Sequence, residues 1–121
     1  MTFNFSNEGI AMLRRAERIN QSRDFKQNYQ CGRRIVGKYC ILFVSENEYP
    51  HHRFGIVCSK KVGKAVERNL ARRRLREIIR QHRKIWLGSR DIVIVARAGI
   101  KNAAYVAIEK DLLTLMERAG F

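Results

Sequence analysis

The sequence is poor in the features that mark many small specialised proteins. Among its 121 residues there is one proline, Pro50, and there are three cysteines, Cys31, Cys40 and Cys58, with no CxxC. Structural metal sites need close pairs of Cys or His, so the thiols read as reduced and mostly buried. The histidines give no ligand set either. His51 and His52 follow Pro50 in a turn that would send both rings into solvent in different directions, and His82 stands alone. No apolar run approaches the roughly 20 residues that cross a bilayer. The opening MTFNFSNEG lacks the basic, apolar, small-residue order of a signal peptide, which predicts a cytoplasmic protein with no membrane partner.

Negative charge is also scarce, with 11 Asp plus Glu against 25 Lys plus Arg and a formal net charge of +14. The carboxylates Asp24, Glu46, Glu48, Asp91, Glu109 and Asp111 fall on different predicted elements. No pair has the spacing that metal-assisted hydrolysis needs. No Ser-His-Asp set is present, and Gly55 and Gly63 are separated by a strand end and a turn, so they make no phosphate loop. The chain is therefore assigned no catalytic residue and no metal ligand.

What is abundant is cationic charge on a folded frame. Hydrophobic residues make up 45% of the chain, enough for one core in one domain. The excess of cations repels itself and attracts polyanions from a distance, which makes nucleic acid the first candidate partner. Ser6 to Glu17 predicts a short helix capped by Ser6 and weakened by Gly9. Ser22 precedes a second short helix that stops at Gly32, with Phe25 and Tyr29 four apart on one face. Lys38–Val44 (KYCILFV) reads as a strand apolar on both faces, either buried on both sides or keeping an aromatic surface for a ligand. ENEYPHH then turns into the strand RFGIVCS, predicting an antiparallel hairpin. A long helix over Val62–Leu87, a strand at DIVIVAR and a last helix over Ala103–Arg118 follow. Val106, Leu112, Leu113, Leu115 and Met116 supply the packing face of that last helix. The order α-β-β-α-β-α predicts an α+β fold, a small mainly antiparallel sheet packed with helices mainly on one side in an α-β sandwich.

The stretch KKVGKAVERNLARRRLRE, Lys60–Glu77, combines charge with helical spacing. With Arg68 at zero and about 100° per residue, Ala71, Leu75, Ile78, Ile79, Ile85 and Trp86 share one third of the circle. Arg72, Arg83, Arg76, Asn69, Arg80, Arg73 and Lys84 fill the adjacent arc. Solvated helix faces mix signs through i,i+4 pairs, whereas Glu67 and Glu77 are the only acids between Lys60 and Lys84, and the wheel places both off this ridge. Guanidinium groups bind phosphate with paired hydrogen bonds and stack on bases. Asn69, neutral within the ridge, could meet a base edge, a 2′-hydroxyl or a metal-bound water, or simply satisfy local backbone.

Phe54-Gly55-Ile56-Val57, Ser59-Lys60-Lys61-Val62-Gly63, Ala65-Val66, Arg68-Asn69, Arg72-Arg73 and Arg76-Glu77 closely resemble, in register, the signature of the bacterial ribonuclease P protein subunit. Arg23-Asp24-Phe25, Tyr29, Gly32-Arg33, Phe43, Asp91-Ile92-Val93 and Ala96-Arg97 keep the same order. The resemblance runs from about Arg18 to the C-terminus. It divides the chain into an extension over residues 1–17, with no counterpart, and a single RNA-binding domain over 18–121. Leu70 stands where the family usually has a basic residue, Arg72 where Lys is common, and Val57 where a small polar residue is frequent.

The resemblance implies a left-handed βαβ crossover, against the usual right-handed preference. It also implies a catalytic RNA as partner, with Mg²⁺ held mainly by that RNA, and a precursor tRNA whose 5′ leader is removed. Arg68, Asn69, Arg72, Arg73, Arg76 and Arg80 would then face the catalytic RNA. Phe25, Tyr29 and Phe43, which the pattern alone would place in the core, would line a leader cleft with Val57, Lys60 and Lys61. A ribosomal or rRNA-binding protein is the main alternative. DNA binding through the Arg helix would need base-reading residues and usually a dimer, and no dimer seam is legible. A protein-only nuclease lacks the carboxylates.

Overall fold

The computed structural model describes residues 15–19 and 21–121; most of the helix expected over Ser6–Glu17 lies outside them. A single 3-10 turn, Arg15–Glu17, leads into the helix α1 (Ser22–Cys31), followed by the strands β1 (Arg33–Val36), β2 (Cys40–Glu46) and β3 (Arg53–Val57). The long helix α2 (Ala65–His82), the strand β4 (Arg90–Ala96) and the helix α3 (Tyr105–Arg118) complete the domain. The four strands form one sheet in the order β1-β2-β4-β3. The fold is α+β, as expected.

Two features of the sheet differ from expectation. The strand β1 is only four residues long and opens with Arg33 and Arg34, so Ile35 and Val36 alone carry strand propensity, too short a run to read as a strand. The hairpin expected between β2 and β3 does not form. Instead β2 lies antiparallel to both β1 and β4, while β3 pairs with β4 in parallel through α2. A turn-rich link between two apolar runs reads locally as a hairpin, but burying both faces of β4 places it between β2 and β3. The unit β3–α2–β4 is thus a βαβ crossover.

Side chains alternate across the pleat. Cys40, Leu42 and Val44 on β2, Ile92, Ile94 and Ala96 on β4, and Phe54 on β3 are buried against Leu75, Ile78 and Ile79 of α2 and Ile108, Leu112 and Leu115 of α3. The opposite face, with Ile41, Phe43, Val93, Val95, Gly55 and Val57, is crossed by α1. Two helices therefore cover one face and one short helix covers part of the other.

The apolar stripe of the helical wheel holds as far as His82, with Ala71, Leu75, Ile78 and Ile79 buried. There α2 gives way to a 3-10 turn, Arg83–Ile85, so Ile85 leaves the apolar stripe and is 68% exposed, while Trp86 remains buried. Val106, expected to pack, is 72% exposed because Ile108, Leu112, Leu115 and Met116 take the inner face of α3. Cys40 and Cys58 are buried and Cys31 is exposed, all three free. Burial pushes the Cys40 thiol up to about 12. His52 is not in solvent. Its ring is buried against Phe54 and Phe121, and its Nδ1 accepts a hydrogen bond from the Arg90 N–H at 2.9 Å.

Candidate nucleic-acid interface

The aromatic face is built where α1 crosses the sheet. Asn28, buried on α1, donates from Nδ2 to Ser45 Oγ at 2.9 Å and to the Asp91 carbonyl at 3.0 Å. Below it Arg53 donates to both carboxylate oxygens of Asp91, at 2.9 and 2.6 Å. Arg53 also lies 3.5 Å from Asp24 and packs on the Tyr49 ring. Asp24 and Asp91, far apart in sequence, are thus brought to one guanidinium. They line a cavity of about 440 Å³ with Glu46 and Glu48. The charged cluster anchors α1 to the sheet, with the single positive charge of Arg53 shared between Asp24 and Asp91, so it works as a clamp.

That anchoring fixes three aromatic rings. Phe25 lies over Gly55, where an added Cβ would come within 2.6 Å of the ring. Tyr29 and Phe43 meet edge to face with centroids 4.9 Å apart, a favoured geometry for ring pairs. Tyr29 is 40% exposed, and Phe25, Phe43, Val57, Ile41 and Val95 are half-buried. The face is apolar and open to solvent, unlike the sealed face beneath α2 and α3. At its end the chain leaves β3 through the Ser59–Val62 turn, closed by Val62 N–H to the Ser59 carbonyl at 3.1 Å. Lys60 and Lys61 stand exposed on this turn.

The turn feeds directly into the Arg ridge. The backbone N–H of Lys64 donates to Glu67 Oε1 at 2.8 Å, closing the first turn of α2. Arg72 donates to Asn69 Oδ1 at 2.9 Å and to the Cys58 carbonyl at 3.4 Å, which ties the ridge to the end of β3. With its oxygen engaged, Asn69 presents its amide as a donor. Arg73 and Arg76 are exposed. The Arg76 guanidinium has its pKa lowered, first by partial burial and then by the adjacent charges of Arg72 and Arg18. Arg68 is half-buried, and its Nε has no hydrogen-bond partner among the described residues. Arg80 differs from the rest of the ridge. It pairs with Glu77, whose carboxyl it holds below its usual range, and Glu77 therefore reaches the ridge edge that the wheel left acid-free. Arg83 likewise pairs with Glu17.

Arg18 and Arg34 take part in these surfaces without having been singled out in the sequence. Arg18 bridges to Phe54 on the outer edge of β3, adding charge beside Arg76. Arg34 pairs in register with Phe43 and so stands on the aromatic face. Its signal was hidden with β1, since only the strand register shows which face Arg34 occupies.

A family model described as Ribonuclease P matches residues 13–120. The ribonuclease P protein component of Syntrophomonas wolfei is 38% identical over 109 residues, covering 90% of this chain and 92% of that protein. The corresponding protein of Streptococcus agalactiae is 32% identical over 108 residues, covering 89% and 98%. Among solved structures, the Staphylococcus aureus RNase P protein superposes with a TM-score of 0.81 at 32% identity, over 88% of this chain and 97% of that one. The Thermotoga maritima RNase P protein gives 0.77 at 29% identity, over 84% and 96%.

Proposed function

The chain belongs to the family of ribonuclease P protein components, and from this premise we propose how its two surfaces divide the work. The Arg68, Asn69, Arg72, Arg73 and Arg76 ridge binds the catalytic RNA, and the Phe25, Tyr29 and Phe43 face holds the unpaired 5′ leader of precursor tRNA. The protein thereby assists endonucleolytic removal of the leader in a cytoplasmic ribonucleoprotein. Aromatic platforms suit single strands because every base has a π-face, worth about 1–3 kcal/mol per stacked base. A dense guanidinium row suits phosphates, with affinity that falls steeply as salt rises.

The observation that carries this reading is the junction at Ser59–Lys61. One turn joins the open aromatic face to the ridge, so a strand leaving the ridge enters the cleft past Lys60 and Lys61. Mg²⁺ belongs, in this proposal, to the partner RNA. Among the described residues no group of three or more His, Cys, Asp or Glu is placed to hold a metal ion. None of the described helices is long and apolar enough to cross a membrane.

Reconstitution tests the reading. RNA-free protein should leave precursor tRNA intact, and adding a catalytic RNA should restore cleavage, most visibly at low Mg²⁺. Cleavage by the protein alone, or a protein that associates with ribosomal particles and never stimulates a catalytic RNA, would overturn it.

A further inference from the structure

The two outer edges of the sheet are unlike. Along β3 the edge is met at Phe54, where Arg18 forms a bridge and the Ile19 N–H donates to the Phe54 carbonyl at 2.8 Å. Along β1 no strand pairs among the described residues, and the edge is rimmed by guanidinium groups. Arg33 donates to the Arg118 carbonyl at 2.8 Å, Arg118 to the Val36 carbonyl at 3.2 Å, and Arg97 to the Gly37 carbonyl at 2.7 Å. All three are exposed. A carbonyl oxygen orients a guanidinium without cancelling its charge, and each group retains further donors. Among the described residues none of the three forms an ion pair. Asp111, beneath Gly37, accepts the backbone N–H groups of Lys38, Tyr39 and Cys40, so its oxygens are committed to that turn.

This rim is continuous with the aromatic face. Arg34, beside Arg33 on β1 but on the opposite side of the pleat, is the register partner of Phe43. From β3 to β1 the sheet spans three strand spacings, about 14 Å, the reach of a few extended nucleotides. We propose that the β1 edge is a second phosphate rail, on which Arg34, Arg33, Arg97 and Arg118 hold the part of the 5′ leader that lies beyond the bases stacked on Phe43. The proposal rests on the leader-cleft reading and extends it to the distal leader. A single strand is the fitting occupant because the rail follows a narrow sheet edge and continues an aromatic face. The broad convex row on α2 is the surface suited to folded RNA.

The test uses protein reconstituted with its catalytic RNA and three substrates: mature tRNA, a precursor whose leader just reaches the cleft, and one with a leader several nucleotides longer. The variant combines Arg33→Gln, Arg97→Gln and Arg118→Gln, because Gln keeps a donor for each carbonyl; a thermal melt first checks the fold. If the triple variant does not fold, Arg97→Gln and Arg118→Gln are measured singly. Lengthening the leader should strengthen binding to the wild type, and the variant should lose that gain. Its salt slope for the long-leader substrate should flatten by about 2, roughly 0.7 for each single-strand phosphate that is no longer neutralised. Binding of mature tRNA, of the short-leader substrate and of the catalytic RNA should stay unchanged. Equal weakening of all substrates, weakened catalytic-RNA binding, or an intact gain from leader length would each overturn the rail. Failure of the cleft reading has a separate signature: the wild type would then bind the short-leader precursor no better than mature tRNA.

Discussion

Phe25 stands over Gly55 with no room for a side chain between them: a Cβ on Gly55 would lie 2.6 Å from Cε1 and 2.8 Å from Cζ of the ring. The close approach seats α1 on the sheet and sets the height of the aromatic face. Gly55→Ala should therefore push Phe25 outward, cost about 1–3 kcal/mol by overpacking, and weaken binding of leader-bearing substrate. A chemical melt beside a leader-binding titration checks both. An Ala variant with unchanged stability and leader affinity would mean that Phe25 does not set the position of α1. Because Phe25 has this packing role, Phe43 is the cleaner probe of base stacking.

The buried His52 predicts a pH dependence of stability. Burial lowers its pKa below the ordinary value of 6.5, so the unfolded chain binds more protons in the window between the folded pKa and 6.5. Stability from this group is complete above that window and falls as pH drops through it. Thermal melts should show the midpoint decreasing as the solution is acidified below 6.5, and His52→Gln should flatten that decrease. An undiminished slope in the variant would place the titrating group elsewhere.

Much of this architecture could be read from residue order. The apolar positions Ala71, Leu75, Ile78 and Ile79 fixed the buried side of α2, and with it the outward direction of Arg73 and Arg76. Phe25 and Tyr29 fell on one face because they are one helical turn apart. The pairing of strands was not legible, since period-2 alternation says which side chains share a face and nothing about which strand lies alongside. That gap concealed the parallel β3–β4 pair, the edge strand β1 and the place of Arg34. The wheel also could not foresee Arg80 turning to Glu77, because an i,i+3 ion pair depends on side-chain rotamers that the wheel does not contain.

Arg74 separates oriented binding from diffuse attraction. It leaves the ridge and donates to the Ala103 carbonyl at 3.2 Å, linking α2 to the segment before α3. Arg74→Ala should lower stability by about 0.5–1.5 kcal/mol, the net worth of an ordinary hydrogen bond, and change the salt dependence of catalytic-RNA binding less than Arg73→Ala does. Paired melts and salt titrations distinguish the two effects. Equal salt slopes for both variants would show that the helix attracts RNA through total charge.

The central claim, that ridge and cleft serve different RNA partners, is tested most directly by one crossed binding measurement. Arg73→Ala with Arg76→Ala, and separately Phe43→Ala, are each titrated against the catalytic RNA and, after saturating assembly, against precursor and mature tRNA. The ridge variant should weaken catalytic-RNA binding and flatten its salt slope by about one for each duplex phosphate that is no longer neutralised, while keeping the preference for precursor over mature tRNA. The Phe43 variant should keep catalytic-RNA affinity and lose about 1–3 kcal/mol of that preference. If both variants weaken both interactions in the same proportion, the two surfaces form one undivided RNA-binding site and the division of labour is wrong.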